Sequence, residues 1–549
     1  MNMIGPFKRS RAGILLAILF ISSSLPSEAQ IYTFFYRVYF RDKGANSPTS
    51  YTASELLSQR AIDRRAKSGI EAPDYRDLPV FDEYIRQVSA LGFKLHCTSK
   101  WMNTALFKTT ASANTAPVLA LPFVSEVKVV KNNAKSQHSE KLDITTTNAE
   151  SPSYDRHITM VNGYPLHNSG YDGTGILIAV LDGGFTYADK ATSLAALRNR
   201  NGIKYTYDFV NRNQYVYSYH THGTSVLSVL TGQISGAIRG TAPDADFLLL
   251  RTEDVSSEFP VEEDFWATGA EFADSAGADI ISSSLGYCTF DDIFMSYKYS
   301  DLDGNTAFVT RAADIAASKG MLVVNSAGNE RNKTWLRIIA PSDGDSVLAA
   351  GAVDGNNLIS AFSSAGPSAD RQVKPDNSAL GVSIVIQSSE TQLARSSGTS
   401  FSCPVLSGMA ACLMEAVPEA NNIQIINALH SSADRFNSPD SLYGYGIPDM
   451  SKALQLLQNI HLVVPENGST VGPNPTRGEI EFIFSEDPGH IVAEVVTSAG
   501  TTIFKKDFGD YAGRSLRLTA LNNMKQGIYF VRLKTGTGTF KYKIIKLND

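Results

Sequence analysis

Only four cysteines stand among 549 residues, which excludes a disulfide-built framework for a chain of this length. Cys403 and Cys412 fall nine residues apart on one expected helix, a separation of about 13 Å that no disulfide spans. Cys288 could bridge to either, but buried free thiols fit better. Charge is also sparse: 19% of residues are charged against 43% hydrophobic, a balance that excludes disorder. Nothing suggests collagen or a coiled coil. Beyond residues 12–21, no uninterrupted apolar run approaches the ~20 residues of a membrane span. A net charge of −6 argues against a generic nucleic-acid binder. His-Glu-x-x-His, Gly-x4-Gly-Lys-Ser/Thr and paired Cys-x-x-Cys are all absent. A Gly-x-Ser-x-Gly elbow is broken, because Ser402 stands where its last glycine belongs.

What is present is uneven. Residues 31–134 carry a net +5, residues 135–460 a net −15 and residues 461–549 a net +2. An acidic middle flanked by basic ends suggests an intramolecular partner. At the start, Lys8, Arg9 and Arg11 precede the ten-residue apolar stretch 12–21, and Ser27-Glu28-Ala29 offers a signal-peptidase site before Gln30. Residues 1–29 therefore read as a secretory signal rather than a membrane anchor.

Residues 30–134 mix strand-like and helical stretches: 32–40 is aromatic and β-branched, 53–67 is helical, and 124–130 reads as a closing strand. The polar stretch 135–154 reads as a linker with a processing site. From 155 to 460 short apolar runs at 176–181, 246–250, 279–283 and 321–325 alternate with helical spacing at 261–276 and 307–318. That rhythm predicts an α/β domain, a doubly wound and mostly parallel sheet with its site at the strand carboxyl ends. After a linker at 461–475, residues 476–549 carry five strand-like runs between Gly and Asn turns, as in a small all-β sandwich.

Three segments carry chemistry. Asp182-Gly183-Gly184 follows a buried strand, His222-Gly223-Thr224 opens a helix, and Gly398-Thr399-Ser400 precedes another. Pro404 is expected to sit near the first turn of that last helix, where proline is tolerated. A serine hydroxyl attacks a carbonyl only when an imidazole takes its proton, and a buried carboxylate must orient that imidazole. At a helix start, the N–H of Ser400 and the helix dipole would face a developing oxyanion. Asn329, in Asn325-Ser326-Ala327-Gly328-Asn329-Glu330, supplies a second donor.

In this order the motifs resemble those of the subtilisin-like serine proteases, over roughly residues 155–457. The resemblance implies Asp182 as the carboxylate, His222 as general base and acid, Ser400 as nucleophile and Asn329 as the oxyanion amide. Ser284-Leu285-Gly286, with Ala327 and Gly328, would bind an extended substrate and wall its pocket. Two positions depart from the family: Ser225 replaces a second His, and Tyr287 replaces a second Gly and is expected to narrow or reshape the pocket. The function implied is a secreted endopeptidase acting on protein or peptide substrates. The alternatives are a surface-attached binding protein on an inactive scaffold, or an esterase or peptide ligase using the same residues.

Segment 30–134 has the position and size of the family's inhibitory propeptide, and its charge is expected to assist docking on the acidic domain. Pro473-Asn474-Pro475, the run from Gly527 to Leu533 and Lys541-Tyr542-Lys543 resemble the C-terminal sorting domain of Bacteroidetes proteins exported by the type IX machinery. This implies a secretion-machinery partner and an extracellular or cell-surface location. No cofactor is required by this reading and no metal ligand is assigned. Asp301-Leu302-Asp303-Gly304-Asn305 could hold structural calcium but reads better as an acidic turn. Glu262-Glu263-Asp264 reads as the acidic first turn of a helix, and Trp266 and Cys403 as packing.

Overall fold

A computed structural model describes residues 34–135, 142, 145–146, 152–461 and 469–546, apart from 473, 475, 477, 485–486, 498–499, 512, 514 and 537. The expected signal over 1–29 lies outside the described residues, as do most of both linkers.

The central domain is built on a seven-stranded sheet in the order Asn377–Leu380, Val347–Val353, Leu322–Ser326, Ile280–Ser283, Leu177–Asp182, Asp246–Arg251, Ile203–Asp208. Every neighbouring pair is parallel. Strand Leu177–Asp182 is apolar throughout because both faces are covered. Ile178 and Val180 enter one core with Val226 of helix His222–Thr231 and Met409 of helix Thr399–Ala416. Leu177, Ala179 and Leu181 enter the opposite core with Phe265 of helix Val261–Ala276 and Val309 of helix Phe308–Ser318. The chain leaves Leu177–Asp182 toward one edge and later returns to add Ile280–Ser283 on the other side. The reversal opens a crevice at the carboxyl ends of these two strands, where such folds bind ligands.

Before this domain lies a four-stranded antiparallel sheet, ordered Lys94–Ser99, Thr104–Thr109, Phe34–Phe40, Val124–Lys131. Its first strand alternates cleanly. Tyr36, Val38 and Phe40 form the segment's own core with Val88 of its helix Asp82–Ala90, whereas Phe35 joins the core around helix Val261–Ala276. Residue Arg37 faces that same helix. Its guanidinium reaches both oxygens of Asp264 at 2.6–2.9 Å, lies 3.6 Å from Glu263 and covers the Phe308 ring at 3.5 Å.

The complementary net charges of the two parts thus resolve into a few buried pairs. Glu262-Glu263-Asp264 does open the helix, as expected, but these residues are buried rather than solvated. Asp264, Glu271 and Asp274 share a helix face by their spacing of seven and three. Glu271 accepts the backbone N–H groups of Lys100 and Trp101. Asp274 accepts Arg64 and, at 2.6 Å, Arg65. Lys131 reaches Asp254 at 3.0 Å.

At the other end, sheets Ser469–Gly472, Ile480–Phe484, Ser515–Leu518 and Thr502–Tyr511, Gly489–Thr497, Gly527–Lys534, Thr539–Lys546 enclose one apolar cluster. This is the all-β sandwich expected. No helix among the described residues is long and apolar enough to cross a membrane.

Removing one partner of a buried pair strands the other charge, at a cost of about 3–5 kcal/mol. In a full-length Ser400→Ala background, Asp264→Ala should therefore lower the thermal unfolding midpoint of the 34–131 region. Replacing the pair together, with Arg37→Met and Asp264→Leu, should recover most of that loss. An unchanged midpoint in the single variant, read by scanning calorimetry, would contradict the assignment.

Candidate active site

Asp182 ends strand Leu177–Asp182 with no exposed surface. Its carboxylate accepts the N–H of Gly183 at 2.7 Å and stands 2.9 Å, through each oxygen, from Nδ1 of His222. A buried carboxylate needs such partners, since stranding it in a dry interior costs several kcal/mol. His222 is the first residue of its helix, and its ring centroid lies 6.0 Å from that of Phe401. The two motifs are 40 residues apart in sequence, and the sheet's parallel wiring is what brings them together.

Ser400 is the second residue of helix Thr399–Ala416 and keeps 9% of its surface exposed. Pro404 was expected near the first turn, but it is the sixth residue of this helix. A residue there would ordinarily donate its N–H to the carbonyl four positions back, that of Ser400. Proline has no N–H, and the carbonyl of Ser400 instead accepts the Ser284 hydroxyl at 2.8 Å. Ser284 follows strand Ile280–Ser283, so the break in the helix ties the serine to the wall of the crevice.

Asn329 is oriented by Thr399, whose N–H and hydroxyl donate to its Oδ1 at 2.9 and 3.0 Å. With that oxygen engaged, the side-chain amide NH₂ is left for another acceptor. The N–H of Gly328 donates to the same hydroxyl at 3.2 Å. A cavity of about 430 Å³ runs from Ser400 between Ser284-Leu285-Gly286 and Gly328-Asn329, out to Lys333 and Trp335. Ala327 stands apart from the expected set. It is fully buried, its N–H donates to Ala350, and it backs the wall without lining the cavity.

The two departures from the family pattern are structural. Ser225 donates to the carbonyl of Gln387 at 2.9 Å inside the core. Tyr287 does not narrow the cavity: it lies fully buried behind it, with its hydroxyl 2.9 Å from Glu253 Oε2. Burial and that neighbouring carboxylate push the Tyr287 phenol well above its ordinary range. Glu253, which lines the cavity, was not picked out from the sequence. Its carboxylate falls within 4.8 Å of those of Glu258 and Glu262, the only metal-capable group among the described residues. Part of this trio organises backbone, because Glu262 accepts the N–H groups of Asp254 and Phe259. In the Asp301–Asn305 run, Asp303 accepts the N–H groups of Asn305 and Thr306, as an acidic turn does. Trp266 is buried and donates to Ser283 at 3.0 Å.

Residues 173–446 match the model of the subtilase family, peptidase S8. Residues 35–144 match the peptidase S8 propeptide domain of Bacteroidota, and residues 470–547 the secretion system C-terminal sorting domain. Subtilisin E of Bacillus subtilis (strain 168) is 28% identical over 330 residues, covering 60% of this chain and 78% of that protein. Subtilisin of Bacillus pumilus is 28% identical over 299 residues, covering 54% and 98%. A crystal structure of MycP1 with its N-terminal propeptide removed aligns over 54% of this chain and 96% of its own, at 22% identity and a TM-score of 0.44.

All four cysteines are free. Burial pushes the thiols of Cys97, Cys288 and Cys403 up to about 12, and that of Cys412 well above its usual value. Since only the thiolate reacts, none of the four should be alkylated by iodoacetamide at pH 8 in the folded Ser400→Ala chain, and all four after denaturation. Stoichiometric alkylation of Cys288 or Cys403 in the folded protein, seen by peptide mass mapping, would contradict this placement.

Proposed function

The chain belongs to the subtilase family of serine-type endopeptidases and carries a sorting domain that addresses it to the cell surface or beyond; from this premise we propose that Ser400, His222 and Asp182 cut peptide bonds through an acyl-enzyme. The observation that carries the reading is the 2.9 Å contact of His222 Nδ1 with both oxygens of a fully buried Asp182, with the imidazole 6.0 Å from the ring of Phe401, the residue after Ser400.

In this mechanism Asp182 holds the proton on Nδ1 and leaves Nε2 as the free base. Ser400 Oγ attacks the substrate carbonyl while Nε2 takes its proton. Among the described residues no hydrogen bond joins His222 to Ser400, and that contact tightens when substrate closes the site. The backbone N–H of Ser400, at the positive end of an 18-residue helix, and the Asn329 amide stabilise the oxyanion. Nε2 then gives its proton to the departing amine, and water activated by the same nitrogen hydrolyses the ester. Two contacts keep the donors in place before substrate arrives: Ser284 on the carbonyl of Ser400, and Thr399 on Asn329. Donors fixed in advance need no reorganisation when charge develops.

The basic segment 34–131, docked on helix Val261–Ala276, acts as the intramolecular inhibitor, and calcium is not required for the chemistry. A fluorophosphonate should modify wild-type protein at Ser400 and leave Ser400→Ala unmodified. Asn329→Ala should reduce kcat by about 10²–10³-fold with little change in KM, the loss typical of removing one oxyanion donor in this family. Steady-state kinetics on a peptide substrate measure it, and an unchanged kcat would remove Asn329 from the role.

A further inference from the structure

Two glycines bound the cleft beside Ser400. Gly286 ends one wall, in which Ser284 is bonded to the carbonyl of Ser400. Gly328 stands in the other wall and precedes Asn329. A substrate carbonyl held by the N–H of Ser400 and by the Asn329 amide therefore brings the side chain of its own residue between these glycines.

Paired glycines would ordinarily leave a deep slot, yet the space in front of both is already taken. A Cβ on Gly286 would come within 2.5 Å of Ile339 Cδ1 and 2.6 Å of its Cγ1, and a Cβ on Gly328 within 3.0 Å of each. The terminal methyl of one isoleucine thus lies against both walls at once. Ile338 and Ala340 on either side of it belong to the core, whereas Ile339 lines the cavity. The backbone holds this plug in place. The N–H of Ile339 donates to the carbonyl of Ala327 at 3.2 Å, next to Gly328. Ala340 and Tyr287, next to Gly286, exchange N–H groups and carbonyls at 2.8 and 3.0 Å. The segment is laced to both walls, and a β-branched side chain has little freedom at χ1.

We propose that Ile339 sets the specificity of this peptidase by closing the pocket for the residue before the cleaved bond to all but small side chains. Cleavage then follows Gly, Ala or Ser rather than Leu, Met or Phe. A side chain reaching past its own Cβ between the glycines must enter the space of Ile339 Cδ1, and carbon atoms pack at about 3.5–4.0 Å. Ile339, not Tyr287, is what narrows the pocket. The inference rests on the serine-peptidase reading above and names the substrate class that the reading leaves open.

The test uses active enzyme obtained from the full chain, its Ser400 titrated with a fluorophosphonate. The substrates are peptide p-nitroanilides that differ only in the residue before the cleaved bond. In the wild type, kcat/KM for Ala should exceed that for Phe at least about tenfold. Ile339→Val, which removes Cδ1 alone, should narrow that gap, and Ile339→Ala should narrow it at least about tenfold. A wild type that prefers Leu or Phe overturns the proposal without any variant. So does a Phe-to-Ala ratio in either variant equal to that of the wild type. Titration of Ser400 and cleavage of any peptide in the series report on the peptidase reading, so a preference for Phe sinks only the role of Ile339.

Discussion

The chemistry proposed for this molecule depends on one buried carboxylate. Asp182 has no contact with solvent, and its charge is held by the Gly183 N–H and by both short contacts to His222. Those contacts fix the imidazole at the point where the order of the parallel sheet reverses. The remaining parts converge on that point from separate elements. Ser400 comes from a helix on one face of the sheet, Ser284 from the neighbouring strand's end, and Asn329 from the loop after the next strand. Ser284 is hydrogen-bonded to Ser400, and Asn329 to the adjacent Thr399, which is how a site keeps its geometry before a substrate enters.

Helix Val261–Ala276 links this site to the propeptide segment that precedes it. Its acidic face receives Arg37, Arg64 and Arg65 of the preceding segment, while Trp266 on the same helix donates to Ser283, one residue before the cavity wall. The docking surface and the substrate wall are thus two sides of one packed unit. Net charge alone would be screened over about 10 Å at ordinary salt. Charges fully buried against named partners act at short range and define register, so the preceding segment is seated in one orientation on this helix.

Much of this was legible in the sequence, and the failures have physical causes. Helix Val261–Ala276 agrees to the residue with its apolar spacing, the strand ending at Asp182 follows from an uninterrupted apolar run, and the one ending at Ser283 from the short run at 279–283. Strand Val347–Val353 was missed because its small Ala and Gly residues carry little hydrophobic signal. Strand Asn377–Leu380 was missed because it is short and begins with a buried Asn bonded to Gly446. Pro404 was placed a turn too early, since the compensating hydroxyl of Ser284 is 116 residues away. Glu263 and Asp264 looked like a dipole-favouring first turn because local sequence cannot show that Arg37, 227 residues before Asp264, completes the pair. Tyr287 looked like a pocket residue because a departure from a family pattern names a position, not the direction in which its side chain points.

The central claim is that Ser400 becomes covalently acylated with His222 as its base. The most direct measurement is rapid quench of the mature enzyme with an activated peptide ester, followed by mass spectrometry of the acid-trapped protein. One acyl group per active site should appear on Ser400 in a pre-steady-state burst, and it should vanish in His222→Ala. Hydrolysis without a burst, or an acyl group carried by another residue, would contradict the account.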